Sequence, residues 1–372
     1  MKRIFAIHLL NDYSGSPLVF KQALEALQQN GYSICLFTAT AATGGCLSQL
    51  PGVTYGNLPY KRFNNRLLTL FSYLFVQVYL FFVLLLRLQK TDVVYVNTLL
   101  PAGAALAGRC RGCKVVYHIH EVSISPAALK NLLTAVVEFT AHRVMFVSEY
   151  VRRSYTFMRP LTCVVYNALP HSFEEVARQS NSLNFAYPFT VLMLCSLKAY
   201  KGVYEFVECA RQLPQIRFML VLNAGVAETE AFKRSSQAPL NCHIYPVQTN
   251  THTFYKQAHL VVNLSRPKEW VETFGLTILE GMAYGLPAIV PPVGGVCELV
   301  SPGENGYCIN SADMPALTAA IKELSGNLQR YLAMSGKSRL MSRNFGIQTF
   351  GKQLSDVFES LKNPVQQVLP VE

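Results

Sequence analysis

Charged side chains are scarce in this sequence. Only 15% of its 372 residues are Asp, Glu, Lys or Arg, against 51% hydrophobic. That composition excludes an intrinsically disordered chain and points toward contact with something apolar. Acidic residues are the scarcer sign, 22 against 33 basic, for a net charge of +11. The deficit is uneven. Residues 1–186 hold 17 basic and 8 acidic side chains, net +9, and the remainder hold 16 and 14, net +2. The basic half is expected to meet an anionic partner. There is no nucleic-acid motif and no basic run interleaved with aromatics, so anionic lipid is favoured and no nucleic acid is expected.

The ten cysteines are scattered and form no disulfide framework. Met1–Leu10, MKRIFAIHLL, is too short an apolar run for a secretory leader and no cleavage site follows, so a cytoplasmic, reducing compartment is expected. Cys110 and Cys113 in CRGCKVVYHIH, with His118 and His120 behind them, could be half of a zinc site. No second Cys pair follows, and the two histidines lie in an apolar strand pattern, so no metal is expected. Two apart on a strand, those histidines point to one face, as satisfied core histidines do.

The length allows two domains, each with its own core. Strand-like apolar runs fall near Arg3–Leu9, Ser33–Phe37, Val93–Val96, Lys114–His118 and Arg143–Val147, with helical patterns near Ser16–Gln29, Pro101–Cys110 and Pro126–Thr140. The plan repeats with strands near Phe189–Leu194, Arg217–Leu222, Leu260–Leu264 and Pro287–Val290. Such alternation predicts α/β architecture with parallel sheets covered on both faces. The polar stretch His171–Pro188 reads as a linker. The expectation is two doubly wound, Rossmann-like domains facing across a cleft, 1–186 and 187–346, with a last helix at about 347–372 crossing back to the first.

One run departs from this plan. Leu67–Leu88, LLTLFSYLFVQVYLFFVLLLRL, is about long enough to cross a bilayer, with Lys61, Arg62 and Arg66 before it and Arg87 and Lys90 after. A spanning helix would put flanking strands of one sheet on opposite sides of a membrane. A wholly buried crossover helix is the second reading. The preferred one is a crossover helix whose outer face dips into the leaflet, with Phe71, Phe75 and Phe82 in lipid and Lys61, Arg62 and Arg66 on headgroups. The protein would then sit peripherally on the cytoplasmic face of the inner membrane.

The densest chemistry lies in ETFGLTILEGMAYGLPAIV, Glu272–Val290. A helix is expected to begin near Phe274 or Gly275 and stop at Gly285, before Pro287. Glu272 then precedes the helix and Glu280 lies inside it. A glycine at a helix start lets a ligand approach free N–H groups, where the dipole favours an anion. A phosphate at Gly275 with a carboxylate on either side for hydroxyl partners is the expected arrangement.

Glu272-x7-Glu280 with Phe274-Gly275, followed by EGMAYGLPAIVPPVGGVCELV and GENGYCI, resembles the family-four retaining nucleotide-sugar glycosyltransferases of GT-B architecture. DYSGSPLVFKQALEALQQNGY is similar to that family's glycine loop and first helix, VVYHIHE to its His-Asp/Glu element, and LCSLKAYKG to its phosphate turn. The resemblance implies a hexosyltransferase that moves sugar from a UDP- or GDP-sugar to a hydroxyl of a lipid-linked or oligosaccharide acceptor in surface polysaccharide assembly. It implies Lys201 on the diphosphate, with backbone N–H groups at Gly275 and Leu276 beside Phe274. It implies Glu280 on the ribose, Glu272 and His120 on the transferred sugar, and Gly15 in a loop over the phosphates. No metal or other cofactor is implied, and no DxD-type carboxylate pair is present. Ser196 stands where the family usually carries arginine, and Cys195 where it often has glycine. Lys198, Arg266 or Lys268 are candidates for the missing charge. The alternatives are an epimerase of the same fold and a non-catalytic nucleotide-sugar binder.

Overall fold

The computed structural model describes residues 3–39, 44–180 and 188–361. It divides into two units: Met1–Asn167 with Gln348–Glu372, and Ala168–Ile347. Each is an α/β domain around a wholly parallel sheet.

Unit 1 runs β1 (Arg3–His8), α1 (Gly15–Gln29), β2 (Ser33–Ala39), β3 (Val53–Leu58), α2 (Arg66–Arg87), β4 (Val93–Asn97), α3 (Ala102–Cys110), β5 (Lys114–Ile119), α4 (Ala127–Thr140), β6 (Arg143–Phe146), α5 (Glu149–Arg153) and β7 (Leu161–Val164). The spatial strand order is β3-β2-β1-β4-β5-β6-β7, which reverses direction between β1 and β4. Period-two alternation sorts the two faces. Phe5, Ile7, Val94, Val96, Val115 and Tyr117 join the core that includes Tyr73, Val76, Leu80 and Leu84 of α2. On the other face Tyr95 meets Phe20 of α1, ring centroids 5.0 Å apart.

Unit 2 runs α6 (His171–Gln179), β8 (Thr190–Ser196), α7 (Val203–Gln212), β9 (Arg217–Asn223), α8 (Val226–Ser235), β10 (Cys242–Tyr245), α9 (His252–Gln257), β11 (Leu260–Val262), α10 (Leu276–Ala283), β12 (Ala288–Val290), β13 (Gly306–Cys308), α11 (Met314–Gly326) and α12 (Leu328–Ser342). Its strand order is β10-β9-β8-β11-β12-β13, reversing between β8 and β11. The last helix, α13 (Ile347–Ser360), belongs to unit 1 from Gln348 on. Its Phe358 packs on Tyr95 at 5.2 Å, and Ser360 Oγ accepts from Arg143 Nε at 3.0 Å. The remainder of the expected terminal helix, 362–372, lies outside the described residues.

Two expectations need correction. The boundary falls at Asn167–Ala168, not at 186–187, and His171–Gln179 is helix where a linker was expected. The cause is Phe173, whose ring packs against His252, Tyr255 and Tyr284 of unit 2. Residues 181–187 of that expected linker lie outside the described residues.

The long apolar run is neither of two things it could have been. As α2 it joins β3 to β4 within one sheet, so it does not span a membrane between them. Nor is it wholly buried: only Tyr73, Val76, Leu80 and Leu84 are enclosed. Asn65 caps its start through Oδ1, accepting from Leu67 N at 2.8 Å.

Candidate functional site

In an open parallel sheet, ligands bind beyond the carboxyl ends of the strands where the strand order reverses. In unit 2 that place lies past β8 and β11. β8 leads into a tight turn, Ala199–Lys201, and β11 into a loop that runs to Gly275. The two loops are tied by Arg266 N–H donating to Tyr200 O at 2.8 Å. Gly202 closes the turn at φ +80°, and a Cβ there would stand 2.1 Å from Leu264 O, so only glycine fits. Lys201 therefore ends a turn just before α7.

The turn delivers the Lys201 ammonium to the Glu272 carboxylate, which also accepts from Ser265 Oγ at 3.1 Å. The same ammonium lies 4.7 Å from the centroid of Trp270, whose other neighbour is the stacked Tyr200 ring. Glu272 is held by its backbone: its carbonyl accepts from Gly295 N at 2.8 Å, and a Cβ on Gly294 would come within 2.5 Å of that oxygen. The Gly294–Gly295 pair thus clamps Glu272.

α10 starts at Leu276, with Gly275 as its cap at φ +101°. The N–H groups of Leu276 and Thr277 have no acceptor within the helix, and the dipole favours an anion beside them. Phe274, expected at the ligand, instead turns its ring inward; it is 3% exposed and packs on Phe345 at 5.9 Å. An apolar ring gains more in that core than in a site built for phosphate, so Phe274 can offer a ligand only backbone.

Glu280 sits one turn into α10 and accepts from Tyr255 Oη at 2.6 Å. Tyr284 stacks on Tyr255, and Phe173 lies edge-on to both. Desolvation among these rings pushes the carboxyl up to about 7, only partly offset by the Tyr255 hydrogen bond. An ionised Glu280 needs further donors, which the hydroxyls of a bound sugar would supply.

Of the cations considered in place of the family arginine, Arg266 is engaged by Glu205 at 2.7 Å and Glu269 at 3.1 Å. Lys198 and Lys268 are exposed. The side of the site normally met by arginine is Ser196, at the end of β8.

Unit 1 has its own polar cluster at its own reversal point. Asn97, fully buried at the end of β4, donates through Nδ2 to His8 Nδ1 (3.1 Å) and Ser16 O (3.3 Å) and accepts through Oδ1 from His120 Nε2 (2.8 Å). His118 pairs with Tyr95 Oη at 3.0 Å. Burial lowers His8 to about 4 and His118 to about 3, and holds His120 well below its ordinary value. All three are neutral at pH 7. Glu121 is raised by burial, and accepts the N–H groups of Leu99 and His120. Gly15 opens α1 and is exposed. Lys201, Glu272, Gly275, Leu276 and Glu280 thus belong to unit 2, and Gly15 and His120 to unit 1.

The half zinc site does not assemble. Cys110 is exposed, Cys113 donates to Gln89 O at 3.1 Å, and His118 is taken by Tyr95. Among the described residues no three His, Cys, Asp or Glu side chains are grouped to hold a metal ion.

The sequence reasoning missed Tyr255, Ser265 and Trp270 in unit 2, and His8 and Asn97 in unit 1. Trp270 carried one visible signal, being the only tryptophan of the chain and two residues before Glu272. Tyr255 and Asn97 carried none, because each is tied to its partner only through the fold.

The family description "Glycosyltransferase Family 4" matches residues 13–172, and "Glycosyl transferases group 1" matches 176–340. The lipopolysaccharide core biosynthesis mannosyltransferase LpsB of Rhizobium meliloti is 36% identical over 140 residues, which is 36% of this chain and 38% of that protein. An uncharacterized glycosyltransferase of Haemophilus influenzae is 33% identical over 167 residues, 43% of this chain and 46% of that one. The chain therefore matches less than half the length of these curated relatives. Among solved structures, Anabaena Alr3699/HepE in complex with UDP and glucose superposes with a TM-score of 0.75 at 19% identity, over 97% of this chain and 100% of that one. The two family matches run nearly end to end from residue 13 to residue 340, and the chain belongs to the family-4 glycosyltransferases.

Proposed function

We propose that this protein transfers a hexose-type sugar from a UDP- or GDP-sugar to a hydroxyl of a glycan acceptor during bacterial surface polysaccharide assembly, with retention at the anomeric carbon. The observation that carries this is the arrangement around α10. A lysine, two N–H groups at a helix start and two carboxylates are gathered at the reversal point of one sheet. The kinship with the Rhizobium meliloti mannosyltransferase and the fold shared with a UDP-bound protein support it.

In this scheme the diphosphate lies on Leu276 and Thr277 N–H with the Lys201 ammonium beside it. Glu280 accepts from the ribose hydroxyls and Glu272 from the transferred sugar. The sugar C1–O bond to phosphate breaks, the acceptor oxygen bonds C1 on the same face, and the acceptor proton passes to a phosphate oxygen. The protein contributes position and fixed charge. Lys201 and the helix start supply the positive field that a metal supplies elsewhere, so activity is expected to survive EDTA.

Turnover of a panel of UDP- and GDP-sugars, read by nucleotide release with an oligosaccharide acceptor, tests this. Loss in Glu272→Ala, Glu280→Ala and Lys201→Ala is expected. Undiminished turnover by the Glu280 variant at low donor concentration would overturn it. One observation favours a second reading, a binder without transfer: Ser196 replaces the arginine, and Arg266 is already engaged. Donor binding without product from any acceptor would select it.

A further inference from the structure

α2 is about 33 Å long at 1.5 Å per residue. Its buried residues Tyr73, Val76, Leu80 and Leu84 cluster around one direction at 100° per residue. Leu67, Phe71, Phe75, Val78, Phe82 and Leu86 form a second stripe about 180° away, over the whole length of the helix. Phe71, Phe75 and Phe82 are 68%, 59% and 58% exposed, and Leu86 86%. The helix is fixed in this pose. Tyr73 Oη donates to Leu100 O at 2.9 Å, Gly103 N donates to Gln77 Oε1 at 2.9 Å, and a Cβ on Gly103 would come within 2.1 Å of Gln77 O. The apolar stripe therefore cannot roll inward. On the far side of α3, α4 adds exposed Leu132 and Phe139.

Charge identifies the occupant. From 61 to 90 the chain has five basic residues, Lys61, Arg62, Arg66, Arg87 and Lys90, and no acidic one. They lie at the two ends of the helix: Lys61, Arg62 and Lys90 on the flanking segments, and Arg66 and Arg87 as its first and last residues, with the Arg87 guanidinium over the Phe37 ring at 5.8 Å. A second copy docking α2 on α2, parallel or antiparallel, would set basic end against basic end. The carboxylate on α4, Glu138, is taken up by the N–H groups of Met158 and Arg159. We propose that the outer face of α2 lies flat in the headgroup–acyl boundary of an anionic bilayer, its aromatic and aliphatic stripe in the lipid and its two basic ends on lipid phosphates. An isolated apolar stripe gives weak binding, and so does an isolated basic patch; together they give stable peripheral attachment. The inference rests on unit 1 alone and stands whether or not unit 2 binds a nucleotide sugar.

The test is co-sedimentation of the full chain with vesicles of phosphatidylcholine alone or mixed with phosphatidylglycerol. Binding to the mixed vesicles, released at alkaline pH and much weaker on phosphatidylcholine, is expected. Replacing Lys61, Arg62 and Arg66 together by Gln should weaken binding to mixed vesicles on the order of a hundredfold at low salt. Phe71→Gln, Phe75→Gln and Phe82→Gln together should weaken it at least about tenfold. Both variants should keep the parent's thermal midpoint, because the replaced side chains are exposed. Failure to bind either vesicle overturns the proposal. So does binding that resists alkaline extraction, or a dimer in solution that the Phe variant abolishes.

Discussion

Glu280 offers a direct test of the site, because its proton is coupled to the ligand. In the folded protein its carboxyl is pushed up to about 7 by desolvation among Tyr255, Tyr284 and Phe173. Unfolded, it returns to the ordinary 4.5. The folded state thus holds a proton that the unfolded state releases between pH 4.5 and 7, so stability falls as pH rises through that window and is flat above it. At 1.36 kcal/mol per unit the loss is about 3 kcal/mol. Glu280→Gln removes the ionisable group. It should match the parent near pH 4.5 and exceed it by up to about 3 kcal/mol at pH 8, roughly 5–10 °C in midpoint.

Ligand binding should move the other way. Ribose hydroxyls donating to Glu280 favour the ionised form, so donor binding expels the proton and affinity climbs with pH up to about 7. The expected slope is up to about tenfold per pH unit. Sugar diphosphate esters do not titrate in this range, so calorimetry from pH 5.5 to 8 isolates the carboxyl. Glu280→Gln should bind about ten- to a hundredfold more weakly at pH 8, having lost a hydrogen bond to a charged group, and should show no slope. A flat profile in the parent, or the same slope in the variant, would refute the assignment of Glu280 to the ligand.

Trp270 is the sole tryptophan and lies 4.7 Å from the Lys201 ammonium. Donor binding that draws Lys201 onto a diphosphate should therefore change its fluorescence without background, and Lys201→Ala should abolish the response. Gly275→Ala should cost about 2–4 kcal/mol in urea unfolding, from a strained φ of +101° and a Cβ 2.6 Å from Val296 Cγ2. Adding Val296→Ala should relieve the clash and leave the backbone strain. Asn97→Leu strands His8 Nδ1 and His120 Nε2 and should cost about 2–4 kcal/mol in unit 1. His8, His118 and His120 have folded pKa values below their unfolded ones, so unit 1 should lose stability as pH falls from 6.5 toward 4. The loss is at most about 1.4 kcal/mol per histidine per pH unit, with Glu121 partly opposing it; a melting midpoint that holds or rises as pH falls would refute this.

The strands legible in the chain were the inner ones. Those strands are covered on both faces, so they must be apolar on both, and Val93–Val96 or Phe218–Leu222 reads as an unbroken run. The four that went unseen, β3, β7, β10 and β13, are the outer strands of the two sheets. An edge strand is half-solvated and short, and VTYGNL or CHIY carries no run to detect. Local chemistry likewise announced the α10 start, since Gly275 and the two glutamates lie within nine residues. It could not announce that Lys201 pairs with Glu272, or that Tyr255 holds Glu280. Those contacts span 71 and 25 residues and exist only because parallel strands bring distant loops to one sheet edge. The greasiness of α2 was likewise written in its residues. Which stripe of it meets the core was decided by Gly103 of α3, which closes on Gln77, and by Tyr73, which bonds Leu100 O just before α3; together they fix the helix and leave the other stripe outside.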